Sequence, residues 1–371
     1  MSEANPQTVA ATVVWGAFAL GFVFGAVGNR TNFCTMGAVS DVVNMGNWNR
    51  MRMWLLAIAV AIFGAAALQL AGLIDAAKSL YLSPNLAWLS LLLGGLLFGV
   101  GMTLASGCAS KNLIRLGAGN LKSLVVFLVL AVTAYMTLKG VLGVFRVATV
   151  DLVALNLGAN QDLPTLAARA FGLERTAALA VAATVVAGAL LVFVFRSREF
   201  RNFDNVLGGV VVGLAVVGGW FLSGHLGYFA EDPTTLEERF VATSSGRMES
   251  LSFVAPQAYL LELLMLWSDK SRVVTFGIAS ALGMFAGSLA YAVATRTWRL
   301  EAFTDARDLV SHLVGAALMG FGGVLALGCT IGQGLSGLST LSLGSMLAFG
   351  SIIAGAALTM KWLYWRMLRE A

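Results

Sequence analysis

Charged residues punctuate this chain at intervals, and the apolar runs between them are long enough to cross a bilayer. A span requires about 20 largely uncharged residues. That criterion predicts helices at Val9–Gly28, Trp54–Ile74, Leu86–Ala105, Ser123–Leu138, Thr176–Phe195, Asn205–Leu222 and Val273–Thr295. Ser123–Leu138 is short, but Lys122 and Lys139 can snorkel from its ends. Leu309–Met360 holds 52 residues without a formal charge. Two spans use about forty of them, which brings the total to nine. The remainder, Gly328 to Ser339 (GCTIGQGLSGLS), is too apolar for an ordinary surface loop and too rich in Gly and Ser for a lipid-facing helix. It reads as a re-entrant half-helix shielded by protein.

Three further segments follow the same pattern: Asn32–Val43, Gly107–Gly119 and Pro256–Trp267. With all four re-entrant, five clusters share one side: Arg30/Arg50/Arg52, Lys111/Arg115/Lys122, Arg196/Arg198/Arg201, Arg296/Arg299/Arg307 and Lys361/Arg366/Arg369. The positive-inside tendency makes that side the cytoplasm. The amino terminus is then expected outside, in the periplasm, and the carboxyl terminus inside. Were Pro256–Trp267 a span, the Arg296–Arg307 cluster would move outside, so nine spans are preferred to ten. Thr243–Glu249 reads as a solvated loop.

Composition narrows the class. Hydrophobic residues make up 58% of the 371, charged residues only 12%, and mean hydropathy is +0.82. Soluble domains carry about 25% charged residues, so a soluble globule, a disordered chain and a nucleic-acid binder are excluded. The expected fold is an all-α polytopic membrane protein, and membrane lipid is its expected surround. The net charge of +5 needs no acidic partner, because cytoplasmic loops collect Lys and Arg. Met1 to Thr8 contains Glu3 and no basic stretch, so no cleavable signal peptide is expected. The 42 glycines allow close helix contact and broken helices.

The chain also resembles itself. Ser90–Cys108 aligns without gaps on Ser311–Cys329, with ten of nineteen positions identical, including a shared G-x-G-x-x-L-A-x-G-C frame. A nearly equal offset pairs Phe33 with Phe253, Ala38 with Ala258 and Arg52 with Arg272. One transport domain over 1–371 is therefore expected to hold two repeats, 9–145 and 205–366. Each reads span, re-entrant, span, span, re-entrant, span. The single helix 176–195 between them would invert the second repeat, a recurring transporter and channel design. The first two re-entrant segments would enter from the cytoplasm and the last two from outside, their tips meeting at a central constriction.

All three cysteines, Cys34, Cys108 and Cys329, fall in re-entrant segments. Their number and spacing give no disulfide framework and no CxxC, and two isolated histidines give no zinc pattern. No metal and no cofactor are expected. A cysteine can simply be a small hydrophobe at a tight helix end. A neutral thiol is also a weak donor with a polarizable acceptor sulfur, suited to a soft, sulfur-bearing ligand. Half-helix amino termini add positive dipole ends, and Ser106, Ser110, Asn112, Thr330 and Gln333 could supply further donors. Asn32, Thr35 and Ser336 are secondary candidates. Lys111 and Arg115 could attract an anion at the cytoplasmic exit, or only mark the inside. His312 reads as a satisfied structural histidine or a proton carrier, and His225 as a loop residue. Glu262 reads as a gate or an interfacial anchor.

Four stretches carry a resemblance: NRTNFCTMGAVSDVV (29–43), GMTLASGCASKNLIRLGAGNLKSL (101–124), HLVGAALMGFGGVLALGCTIGQGLSGLSTLSLGS (312–345), and the loop from GHLGYFAEDPTTLEERF to GRMESLSFVAPQAYLLELLMLWSD. They resemble the YeeE/YedE family of bacterial sulfur-transport membrane proteins. The resemblance implies inner-membrane uptake of thiosulfate through an hourglass of inverted repeats. It implies that Cys34, Cys108 and Cys329 line the path and pass thiosulfate along by S–H···S hydrogen bonds. It also implies a small cytoplasmic TusA-like sulfurtransferase as the receiver of the sulfur. Two other classes fit the residues less fully. A membrane thiol-redox enzyme needs cysteine pairs with Cα atoms about 5.5–6 Å apart. A general small-anion channel leaves the thiols without a use.

Overall fold

The computed structural model describes residues 5–232 and 236–370. Helix α1 (Pro6–Arg30) opens with Pro6 at its first position and the Asn5 side chain capping Gln7 N. Short α2 (Thr35–Met45) leads to α3 (Asn49–Leu70), then α4 (Trp88–Leu104), short α5 (Ala109–Gly117) and α6 (Leu121–Leu138). Two further short helices, α7 (Val141–Ala148) and α8 (Leu163–Phe171), lie between α6 and α9 (Arg175–Phe195). The chain continues through α10 (Phe203–Phe221), short α11 (Ala255–Met265), α12 (Phe276–Ala294), α13 (Ala306–Leu325) and α14 (Leu343–Glu370). A π-helical turn, Gly332–Gly337, precedes α14. Four two-residue strands form two small ribbons in the connecting loops.

Among the described residues, nine helices are long and apolar enough to span a membrane. The protein is an all-α, multi-pass membrane protein, as the apolar periodicity predicts. Helix ends moved where capping outweighed hydropathy. The second span begins at Asn49, not Trp54, because Arg50 and Arg52 extend the helix beyond its apolar run. It stops at Leu70, two residues before Gly72 in the left-handed region at φ 70°. Residues 141–171, which hydropathy left without structure, form α7 and α8.

The packing is reciprocal. Helix α1 lies against α12 and α3 against α10; α4 crosses α13; α4 meets α14 as α6 meets α13; and α2 touches α14 as α6 touches α11. Exchanging α1 with α10, α2 with α11, α3 with α12, α4 with α13 and α6 with α14 turns each of these contacts into another of the set. At the α4–α13 crossing the exchange is visible at single residues. A methyl on Gly101 would lie 2.5 Å from the Gly315 carbonyl oxygen, and one on Gly94 would lie 2.7 Å from that of Gly322. Only hydrogen fits at such backbone contacts.

Candidate functional site

Each cysteine stands where one helix stops and a short one starts. The preceding helix ends on a non-glycine residue in the left-handed region: Asn32 (φ 52°), Ser106 (φ 55°) and Leu327 (φ 54°). A six-to-one backbone bond closes each end, from Phe33 N to Gly28 O, Gly107 N to Met102 O, and Gly328 N to Gly323 O. This is the Schellman termination. It turns the chain so that the following cysteine opens the next helix. The carbonyls of Cys34, Cys108 and Cys329 accept from Ala38, Asn112 and Gln333 at 3.0, 3.0 and 2.8 Å.

The thiols are buried, with exposures of 6% for Cys34, 1% for Cys108 and 0% for Cys329, and all three are free. Cys34 Sγ accepts from Gly37 N at 3.4 Å, and Cys329 Sγ accepts from Gly332 N at 3.4 Å. Both belong to a Cys-Thr-x-Gly sequence, CTMG and CTIG. Aligning the halves hides this pattern, because that register sets Cys34 against Val254 and Cys329 against Cys108. Cys108 differs: its Sγ lies 3.3 Å from Ser110 Oγ.

Two cavities flank this row. One, of about 300 Å³, is lined by Cys34 together with Asn32, Ser106, Arg50, Lys111 and Arg115. Arg50 is paired with Asp41 at 2.8 Å, Arg115 donates to Ser106 O at 2.8 Å, and Lys111 reaches Asn32 Oδ1 at 3.4 Å. Three cations face one carboxylate, so this mouth favours anions. The other cavity, of about 290 Å³, reaches Gly328, beside Cys329. Its walls include Tyr81, Arg146, Glu249, Val254 and Tyr259. Burial, with the neighbouring Cys329 and Glu249, pushes the Tyr81 phenol far above its usual value, so it stays neutral. Burial also raises the Glu249 carboxyl, against the bonds it accepts from Ser245 N and Oγ at 2.7 and 2.5 Å.

The remaining sequence candidates separate by what they touch. Asn112 Nδ2 donates to the Gly107 and Cys108 carbonyls, and Gln333 Nε2 to the Ala326 carbonyl. Both amides brace the turn before a cysteine, from matched positions of the repeat. Ser336 Oγ ties its helix to Leu251 O. Thr35 and Thr330 are buried, and neither hydroxyl has a hydrogen-bond partner among the described residues. Glu262 meets Lys139 at 2.9 Å and Arg272 at 3.2 Å, and accepts from Tyr135 OH. That double ion pair holds the end of α11, which is an anchor's geometry. His312 Nδ1 lies 3.0 Å from Asp308 Oδ1, its ring is edge-on to Phe303, and it lines neither cavity.

Hydropathy and self-alignment missed Arg50, Tyr81, Arg146, Glu249, Tyr259 and Gln257. Gln257 Nε2 donates to Ala109 O, joining α11 to the start of α5. The stretch Thr243–Glu249 keeps Ser245, Gly246 and Arg247 exposed, as expected of a solvated loop, but buries Met248, and Leu251 and Phe253 just after it are buried too. Phe253 alone carried a signal, through its alignment with Phe33. Both rings meet Phe24 edge-on.

Two curated relatives bear the name thiosulfate transporter TsuA. The protein of Escherichia coli strain K12 is 26% identical over 338 residues, covering 85% of this chain and 84% of its own. That of Spirochaeta thermophila is 25% identical over 380 residues, covering 95% of this chain and all of its own. Residues 30–358, a range that contains all three thiols, match the family described as Sulphur transport, and this chain belongs to that family.

Proposed function

We propose that this protein is a transporter, not an enzyme, and that it carries thiosulfate across the bacterial inner membrane into the cytoplasm. Thiosulfate, S–SO₃²⁻, presents a soft terminal sulfur and three hard oxygens. The observation that carries the reading is the row of three free, buried thiols at helix breaks between two cavities. Each S–H can hydrogen-bond the terminal sulfur, while the fixed cations gather at the Cys34 mouth. Weak sites in series permit release as well as entry. Because Cys34 and Cys329 already accept an N–H, the sulfur is oriented and its own hydrogen stays available.

Charge supports the sidedness of the pathway. Arg50, Lys111 and Arg115 surround the Cys34 mouth, and the positive-inside tendency assigns that mouth to the cytoplasm. A TusA-like sulfurtransferase would meet the anion there. The reciprocal helix packing supports two repeats, 9–145 and 205–366, inverted about an axis through the α4–α13 crossing, with α9 as the linker. Ser106, Ser110, Asn112 and Gln333 serve this pathway by shaping the hairpins, and Ser110 by partnering Cys108.

The test is uptake of ³⁵S-thiosulfate into proteoliposomes. Cys108→Ala and Cys329→Ala should abolish uptake while inserting normally and keeping the wild-type Tm. Wild-type uptake by either variant would overturn the thiol pathway. Excess sulfate or nitrate should compete poorly, because neither carries a terminal sulfur.

A further inference from the structure

A threonine inside a helix usually returns its hydroxyl to the carbonyl four residues back. Thr35 and Thr330 cannot follow that habit. Each stands directly after the helix break, so the residue four back lies in the preceding helix, beyond the reversal of the chain. For Thr330 that residue is Ala326, whose carbonyl is already taken by Gln333 Nε2. Thr35 is 2% exposed and Thr330 is 0% exposed, and neither Oγ1 has a hydrogen-bond partner among the described residues. A hydroxyl removed from water and left unpaired costs free energy. The same cost appears twice, at matched places, each beside a thiol.

The two places share more than the orphaned hydroxyl. Each belongs to a Cys-Thr-x-Gly turn whose sulfur accepts the glycine N–H at 3.4 Å; Cys34 and Gly37 of the first line one cavity, and the second follows Gly328, which lines the other. Glycine leaves room for a neighbouring side chain at the fourth position at both places. A methyl on Gly332 would lie 2.7 Å from Ser252 Oγ, and one on Gly37 would overlap the Arg50 guanidinium. The middle cysteine lacks the pattern: Ala109 follows it, and Ser110 Oγ already meets its sulfur. The turn with its unpaired threonine hydroxyl therefore occurs at the first and last cysteines and not at the middle one.

We infer that Thr35 and Thr330 read the oxygen end of the anion: at each mouth the thiol takes the terminal sulfur and the adjoining threonine hydroxyl donates to a sulfonate oxygen. The inference rests on the thiosulfate reading above and adds specificity to it. A thiol alone would accept any soft sulfur species, such as a sulfide or a persulfide. A hydroxyl alone would accept sulfate. The pair selects an anion carrying both ends, and sets its orientation on entry and on exit. The central thiol, paired with Ser110, then passes the anion between the two.

The experiment measures uptake kinetics and Tm for Thr35→Val, Thr330→Val, Thr35→Ser and Thr330→Ser, with Cys34→Ala and Cys329→Ala alongside. Valine keeps the shape and removes the donor. Each valine variant should raise the half-saturating thiosulfate concentration about tenfold, the size of one hydrogen bond to a charged acceptor. Its Tm should hold or rise, since an unpaired buried hydroxyl is gone. The serine variants should stay within about twofold of wild type. Valine variants with wild-type kinetics, or with uptake and Tm falling together and no rescue by serine, would overturn the assignment. Dead cysteine variants beside wild-type valine variants would sink the threonine role alone. Uptake retained by the cysteine variants would sink the thiol pathway, and the pairing with it.

Discussion

The chemistry of single residues decides which solutes can pass. Glu249 is the one acid lining the Cys329 cavity, where Arg146, Tyr81 and Tyr259 also face the space. Its carboxyl is raised above the ordinary range by burial. The folded protein therefore holds that proton more tightly than the unfolded chain. This contribution to stability is largest at low pH and fades as pH rises from the ordinary carboxylate range through the raised value. Under the proposed pathway, an ionised Glu249 would repel a dianion that its neutral form admits. Uptake at fixed thiosulfate should rise as pH falls through the Glu249 titration, and Glu249→Gln should flatten the profile. A variant that keeps the wild-type pH dependence would remove Glu249 from the entry step.

Elements contribute through the way they end. Three spans stop on a non-glycine residue in the left-handed region, two residues before a cysteine. The strain of that conformation is about 1–2 kcal/mol for an L-residue. Leu327 is the clearest case, because a leucine side chain offers no local hydrogen bond in return and is 51% exposed. Leu327→Gly should stabilise the purified protein by about 0.5 kcal/mol, the relief of strain less the entropy that glycine adds to the unfolded chain. A rise in Tm with unchanged uptake is the expected result. A loss of Tm would mean that the leucine packs more than it strains. The same helix ends were only partly legible beforehand. Gly and Ser around each cysteine marked the breaks, but the Schellman bonds and the thiol caps depend on where the chain turns next.

Across the whole molecule, two halves distant in sequence interlock through backbone contact. Helix α1 packs on α12 so tightly that a methyl on Gly287 would overlap the Phe22 carbonyl, and one on Gly25 the Met284 carbonyl. Overpacking of this kind costs about 1–3 kcal/mol. Gly287→Ala should lower Tm and reduce uptake together, as expected for a contact that sets the spacing of the hairpins. An unchanged Tm would show that α1 and α12 can separate without cost. The connecting loops carry their own tether. Lys78 Nζ meets Glu238 at 2.5 Å and Tyr228 OH at 2.7 Å, joining the loop after α3 to the ribbon Tyr228–Phe240. The Lys78 bond holds the Glu238 carboxyl below its usual range. The tether is therefore present above the carboxylate range and is lost as pH falls through the lowered value.

By itself the sequence determined the solvent, the nine spans and the breaks with the cysteines beside them. These follow from local composition: charge-free length fixes a helix in lipid, Gly and Ser interrupt it, and a thiol is recognised wherever it lies. The tertiary structure alone decided which of those residues share a space. It set Arg50 beside Cys34, put Glu249 in the cavity that reaches Gly328, buried Met248, and left the Thr35 and Thr330 hydroxyls without partners among the described residues. Such neighbours come from elements far apart in the chain. Hydrogen-bond satisfaction and cavity lining belong to the packed whole, and no local window of sequence contains them.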